Sequence, residues 1–474
     1  MSARLEGVRN IESTNLPAKS RSATEWWTPR LAGPVITAAI VRLALLATAL
    51  ARNGTGVLSH GDTMSFLEPG RNLLLHGRFI ADGAPDLLRT PGYPLFLAVT
   101  SLAGLTAAAL ANVILSVISV ILVWKLARSV FDDNRIALGA AWSFAFEPLS
   151  AVLSVALLSE SLFLFLLLLC LERLAVFLRE RQLRVLLAAG LWLAAATFVR
   201  PITYYLPVAL ALGLLFVLMR VPGLRWKAPA ILLISVLPWL AAWQIRNCVE
   251  TGYGGFSSIG ELDLYFLVAP EVIASGEHRS FFEVRNELGY VEIANHSGQD
   301  YLLQPYLALH PEQQGWSQGQ RLAFMHSQAT RIVRAHFGPY LHLYVRSLFQ
   351  TVFNPGAGFF DRLLAPTDPG FSPRLMDEGP VRLGMMLARE HPWVAAEKAA
   401  FVVVLLGMYL FALRGVLRGG VHRVFLWLLL GTSLYLVAIS AVVGGVESRY
   451  RHPVMPVVCI FASAGFQRRK PVAG

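Results

Sequence analysis

Cysteine is nearly absent: Cys170, Cys248 and Cys459 are the only three in 474 residues. None stands in a C-x-x-C pair, which excludes a disulfide framework, a zinc site and thiol chemistry. Charge is scarce as well, at 15% Asp, Glu, Lys and Arg, against about a quarter in ordinary soluble domains. No H-E-x-x-H run occurs, so His326, His336 and His342 read as solvated or interfacial rather than as metal ligands. The GYGG run at 252–255 lacks the strand-to-helix context of a dinucleotide loop and reads as a turn. No period of 20 to 50 residues recurs, which excludes solenoids and propellers. What fills the space is apolar: 55% of the residues are hydrophobic and the mean hydropathy is +0.54, so the solvent for this chain is lipid. The formal net charge of +11 sits in short clusters between apolar runs. That is a topology pattern and excludes a nucleic-acid partner.

A bilayer core about 30 Å thick takes roughly 20 helical residues per crossing. Spans are expected at 31–51, 107–127, 135–151, 159–178, 185–200, 202–219, 228–246, 394–413, 424–444 and 453–467, an all-α integral membrane bundle of about ten helices. Residues 1–30 form a basic leader, too long and too charged for an ordinary cleavable signal. The stretch 94–127 decides the parity. Counted as one crossing, preceded by an interfacial helix over PLFLAVTSLAG, it leaves Lys125, Arg128 and Arg135 inside with the clusters at Arg173–Arg184, Arg220–Lys227, Arg414–Arg423 and Arg468–Lys470. Counted as two, it puts all later clusters outside. The first count puts both termini in the cytoplasm of a multi-pass plasma-membrane protein. The expected domains are the leader, an N-terminal membrane module at 31–247 that includes an outer loop at 52–106, an outer insertion at 248–393, and a C-terminal module at 394–474. An insertion that long should hold helices or a small cap. Tyr340, Tyr344, Leu348 and Val352, four residues apart, predict an amphipathic helix resting on the membrane surface.

With this topology Asp62, Arg89, Glu147, Glu160, Arg200, Arg246, Asn247, Glu447, Arg449 and Arg451 collect at the outer ends of spans or in the first outer loop. Several arginines with a few carboxylates suit a phosphate ligand and a proton transfer. Each residue also has a plainer role. An arginine beside a span can anchor to lipid phosphate, Asp62 can cap the helix that begins at D-T-M-S-F, and Glu160 can hold an arginine as a buried pair. Glu147 before Pro148 can mark a span end, Arg200 before Pro201 a helix junction, and Tyr93 and Trp239 can be belt or packing aromatics.

HGDTMSF at 60–66 followed by RTPGYPLFLA at 89–98 resembles the first outer loop of the GT-C glycosyltransferases, in the protein mannosyltransferase and aminoarabinose transferase branch. Leu158–Glu160, Val199–Pro201, Pro238–Trp239 with Arg246–Asn247, the SSIG run at 257–260 and ESRYRHP at 447–453 are similar to recurring features of that branch. The likeness covers roughly 31–262 and 394–467. It implies transfer of a sugar from a polyprenyl-phosphate donor to a glycan, lipid or protein acceptor on the outer face, with inversion at the anomeric carbon. A single displacement needs one base, and Asp62 is the candidate. A phosphate leaving group needs cations, and Arg89, Arg200, Arg246 and Arg449 are the candidates. Tyr93, Glu160, Asn247 and Ser258 are the expected substrate-binding residues. Thr63 stands where the branch often carries a second carboxylate, which argues against a carboxylate-held metal and for catalysis without a cofactor. The competing readings are a lipid-carrier ligase, a transporter or flippase for lipid-linked sugars, and an inactive scaffold of the same fold. A transporter would gather its polar residues near the midplane in paired, broken spans.

Overall fold

The computed structural model describes residues 28–290, 299–364, 385, 388–389, 392–442 and 447–467. Most of the leader, Arg468–Lys470 and part of the insertion lie outside the described residues. Among the described residues the architecture is helical, with one hairpin of two-residue strands, β1 (Ile80–Ala81) against β2 (Ala84–Pro85). All ten expected spans are helical in whole or in large part. Among the described residues six helices are long and apolar enough to cross a membrane: α1 (Ala32–Asn53), α4 (Leu105–Phe131), α7 (Glu160–Glu180), α10 (Lys227–Thr251), α18 (Pro392–Arg418) and α19 (Arg423–Val442). The other four are shorter: α5 (Asn134–Ala145), α8 (Leu183–Val199), α9 (Leu206–Val217) and α20 (Met455–Phe466).

The breaks have local causes. The expected span at 135–151 divides into α5 and α6 (Pro148–Leu153), because Pro148 lacks an N–H and obstructs the preceding turn. Glu147 caps the second piece, accepting from Leu149 N at 3.2 Å and Ser150 N at 2.6 Å. The carbonyl of Ala145, freed by the break, accepts instead from Arg42 Nη1 at 3.0 Å. Arg42 is fully buried on α1 and also donates from Nε to Ser116 Oγ at 2.8 Å, so it is a strut across the break. Where helices meet closely, glycines allow it. A Cβ on Gly415 of α18 would stand 2.0 Å from the Phe461 carbonyl oxygen of α20.

The segment expected as the first outer loop folds as α2 (Thr63–His76), the hairpin and α3 (Gly92–Thr100). A short turn at Ser101–Ala103 and Gly104, with φ of 96°, separate α3 from α4. A Cβ on Gly70 would meet the Pro94 oxygen at 2.1 Å, and one on Gly92 the Phe198 oxygen at 2.6 Å, so α2, α3 and the end of α8 are stacked backbone to backbone. The insertion holds α11 (Ile259–Asp263), a wide i→i+5 turn at Leu264–Val268, α12 (Ala269–Glu277), α13 (Phe281–Glu287), α14 (Gln299–Leu309), α15 (Gln318–Ala335), α16 (Phe337–Phe353) and α17 (Ala357–Leu364). Tyr265, Phe266, Tyr306 and Met325 make its core, and Leu87 of the first outer loop inserts into it. The amphipathic helix expected near Tyr340 is α16. Its tyrosines face inward, Tyr344 Oη donating to the Ala438 oxygen of α19 at 3.3 Å. The exposed apolar stripe is instead Phe337, Leu341, Val345 and Phe349.

Candidate active site

Asp62 precedes the first turn of α2, yet its carboxylate makes no cap hydrogen bond to that helix. Both oxygens go to arginines. Arg89 Nη2 donates to Oδ1 at 2.9 Å, and Arg449 Nη1 to Oδ2 at 2.7 Å. Arg89 is itself fixed, its Nε donating to Ser65 Oγ at 2.9 Å and its guanidinium lying 4.3 Å from the Phe66 ring centroid. Arg449 comes from the turn Ser448–Val454 ahead of α20 and also pairs with Glu447. Burial would raise the Asp62 pKa, but Arg89 and Arg449 outweigh it and hold the carboxyl well below the usual carboxylate range.

Behind this pair lies a second. Glu160, the first residue of α7, is 1% exposed and is bonded by Arg200, with Arg449 Nη1 3.9 Å away. Arg200 has extended backbone, φ −142° and ψ 118°, because the proline after it disfavours the helical region. This ends α8 and turns the guanidinium toward Glu160. Asp62, Arg89, Arg200 and Arg449 line one cavity of about 440 Å³, together with Tyr204, Tyr253, Phe256 and Tyr450.

The remaining residues read from the sequence stand outside that lining. Arg246 Nη2 donates to the Phe79 oxygen at 2.8 Å and pairs with Glu250 at 2.7 Å, while its Nη1 donates to the Asp86 oxygen at 3.2 Å. It fastens α10 to the first outer loop. Asn247 Nδ2 donates to the Gly255 oxygen at 2.9 Å and shapes the turn after α10. Ser258 is buried, its N–H donating to the Leu87 oxygen at 2.8 Å, while Ser257 Oγ donates to the Leu88 oxygen at 2.8 Å. Tyr93 is fully buried, edge-on to Phe66 at 5.0 Å, and accepts from Asn112 Nδ2 at 3.4 Å. These groups hold the loop that presents Arg89.

Sequence reading passed over two carboxyls. Asp86 accepts from Leu88 N at 2.7 Å and fixes the turn into Arg89, and burial pushes its pKa up to about 7. Asp263 lines the cavity at the end of α11. It lies in a run, GELDLYF, with no motif and no spacing that relates it to Asp62. Only the folding of the insertion over the first loop brings it there.

Residues 90–243 match the family model described as dolichyl-phosphate-mannose-protein mannosyltransferase. That segment is about a third of the chain. The matched segment contains Tyr93, Glu160 and Arg200 and stops short of Asp62, Arg89, Arg246 and Arg449. Among solved structures, the chain is similar to the archaeal oligosaccharyltransferase AglB from Archaeoglobus fulgidus, in complex with an inhibitory peptide and a dolichol-phosphate. That similarity is at 12% identity and a TM-score of 0.45, covering 92% of this chain and 50% of that one. The chain therefore spans about half the length of AglB. It is also similar to ArnT from Cupriavidus metallidurans in the apo state, at 15% identity, 91% and 77% coverage and a TM-score of 0.38. ArnT bound to undecaprenyl phosphate gives 13%, 92%, 78% and 0.38. No curated protein matches the chain.

Proposed function

We propose that this protein is a GT-C membrane glycosyltransferase that moves a sugar from a polyprenyl-phosphate donor to an acceptor hydroxyl on the outer face, with inversion and with Asp62 as general base. The observation that carries this reading is the clasp of Arg89 and Arg449 on Asp62, at 2.9 and 2.7 Å, in a cavity also lined by Arg200. The acceptor oxygen attacks the anomeric carbon, the bond from that carbon to the phosphate oxygen breaks, and its electron pair leaves on the polyprenyl phosphate. The hydroxyl proton passes to Asp62.

A carboxylate with both oxygens on guanidinium groups is a weak base. A bound phosphate competes for the same arginines, and drawing Arg89 or Arg449 toward it returns basicity to Asp62 as the leaving group gains its stabilising cations. Beside the cavity, an apolar groove lined by Leu162, Leu166, Leu191, Phe198 and Trp239 shares Val199 with it. It suits a prenyl chain whose phosphate lies at the arginines. A transporter would be expected to carry its polar residues at mid-membrane. The one fully buried arginine inside α1, Arg42, is bonded to Ser116 and Ala145 and does not line the cavity. The test is sugar release from a polyprenyl-phosphate sugar by purified protein, repeated with Asp62→Asn and Arg89→Ala. Full turnover by both variants removes these residues from the mechanism. Mass spectrometry of envelope glycans with and without the protein names the sugar.

A further inference from the structure

Arg451 shares the turn Ser448–Val454 with Arg449, yet it does not line the cavity. It is 2% exposed, so its guanidinium reaches neither a carrier head nor lipid phosphate. Its Nη1 donates instead to the carbonyl oxygens of Val352, at 3.3 Å, and Asn354. Both stand at the C-terminal end of α16. The last carbonyls of a helix have no N–H within it to bond, and a cation there also suits the helix dipole. Tyr409 of α18 donates to the same Val352 oxygen at 2.6 Å.

The turn and the end of α16 touch on the other side of Arg449 as well. Gly356 has φ of 85°, and a Cβ on it would stand 3.1 Å from Ser448 Oγ. Arg449 is thus bracketed, one residue before it and two after, by contacts with the same end of α16. Among the described residues, the side-chain hydrogen bonds that leave this turn come from Arg449, to Asp62, and from Arg451. Outside the cavity, Arg451 is therefore the polar fastening of the turn. The far side of α16 is seated on the insertion, with Leu343 packed on Val268 and Val272 and with Arg346 paired to Glu271 of α12 at 3.5 Å.

Resting on the reading of Arg449 as a cation that grips the carrier phosphate, we infer that Arg451 is a positioning residue for carrier binding. It fastens the turn that carries Arg449 to the end of α16, so that the insertion sets where the Arg449 guanidinium stands. Arg451 itself touches neither donor nor acceptor. One nitrogen bridging two carbonyls is a fastening with little play, and a misplacement of about 1 Å at a reacting centre is enough to cost a large factor in rate.

The experiment measures undecaprenyl phosphate binding, melting and sugar release from a polyprenyl-phosphate sugar on the purified full chain. Arg451→Met and Arg451→Lys are each made alone and together with Arg449→Ala, where Arg89 and Arg200 remain to hold the carrier. Arg451→Met is expected to weaken carrier binding about tenfold. Arg451→Lys keeps a donor for one carbonyl and should weaken it less. In the Arg449→Ala background the same substitutions should change binding by less than about twofold, because the guanidinium they displace is gone. Equal losses with and without Arg449 overturn the inference, since a merely structural residue or a direct ligand acts independently of Arg449. Carrier binding unchanged by Arg451→Met overturns it too. Should Arg451→Met fail to fold, Arg451→Lys is read by the same cycle, with a loss under about twofold counted as unchanged. In each of these cases sugar release by wild type keeps the transferase reading. Wild type that binds carrier, shows the Arg449-dependent loss and releases no sugar removes the transferase reading and keeps the positioning role. Wild type that binds no carrier removes both.

Discussion

With one carboxylate oxygen on Arg89 and the other on Arg449, Asp62 stays ionised far into the acid range, and its role as a base depends on what displaces those arginines. Asp62→Asn is expected to lower transfer by about 10²- to 10⁴-fold while leaving undecaprenyl phosphate binding intact, as read by turnover and by carrier binding on the same preparation. Because its folded pKa is depressed, its ionic stabilisation is present above the unfolded value of about 3.9 and is lost as pH falls through the folded one. The variant should therefore melt below wild type at neutral pH, with the gap closing in strong acid. Asp86 carries the opposite sign. Its folded pKa, about 7, lies above the unfolded value of about 3.9, so the cost of its charge grows as pH rises from about 4 to about 7 and is constant above that. Asp86→Asn keeps an acceptor for the Leu88 and Arg89 amides and removes this dependence. A melting series in detergent across that window should show wild type losing ground to the variant, and parallel curves would reject the assignment.

At the scale of elements, the first outer loop is held by close backbone approach as much as by charge. A Cβ at Gly92 would stand 2.6 Å from the Phe198 oxygen and 2.9 Å from Val199 N, atoms that belong to a packed helix end and have little room to yield. Gly92→Ala should cost about 1–3 kcal/mol and shift α3, and with it the turn that carries Arg89. The check is a lower melting point together with weaker carrier binding. Unchanged melting would mean that α3 slides freely on α8. Much of this region was legible beforehand. The helix read over PLFLAVTSLAG corresponds to α3, Arg200–Pro201 marked a junction, and Glu147–Pro148, read as a span end, is where the expected span at 135–151 breaks. The last two are proline effects that act within a few residues. Arg246 and Asn247 read the same way as Arg200, an arginine near the end of a span, yet they bond loop carbonyls instead of lining the cavity. Nothing within five residues of an arginine separates a ligand-facing guanidinium from a carbonyl-binding one.

For the molecule as a whole, the basic clusters carry a claim about orientation. In a background with the three cysteines replaced, Arg78→Cys in the first outer loop should react with an impermeant maleimide on intact cells. Arg184→Cys, in the first turn of α8, should react only after permeabilisation. The reverse pattern would put the cavity on the cytoplasmic side and end the proposal that lipid-linked sugars meet their acceptors outside.

Hydrophobicity and length are properties of contiguous residues, so the helices of the bundle, their approximate bounds and the all-α membrane class followed from the chain alone, as did the resemblance carried by short local runs. The meeting of Asp62 with Arg449 spans 387 positions, and the arrival of Asp263 beside them depends on how an insertion with its own core closes over the first loop. Those contacts are set by how α2, α11 and the turn before α20 converge on one cavity, where no single stretch of sequence holds more than one of the partners.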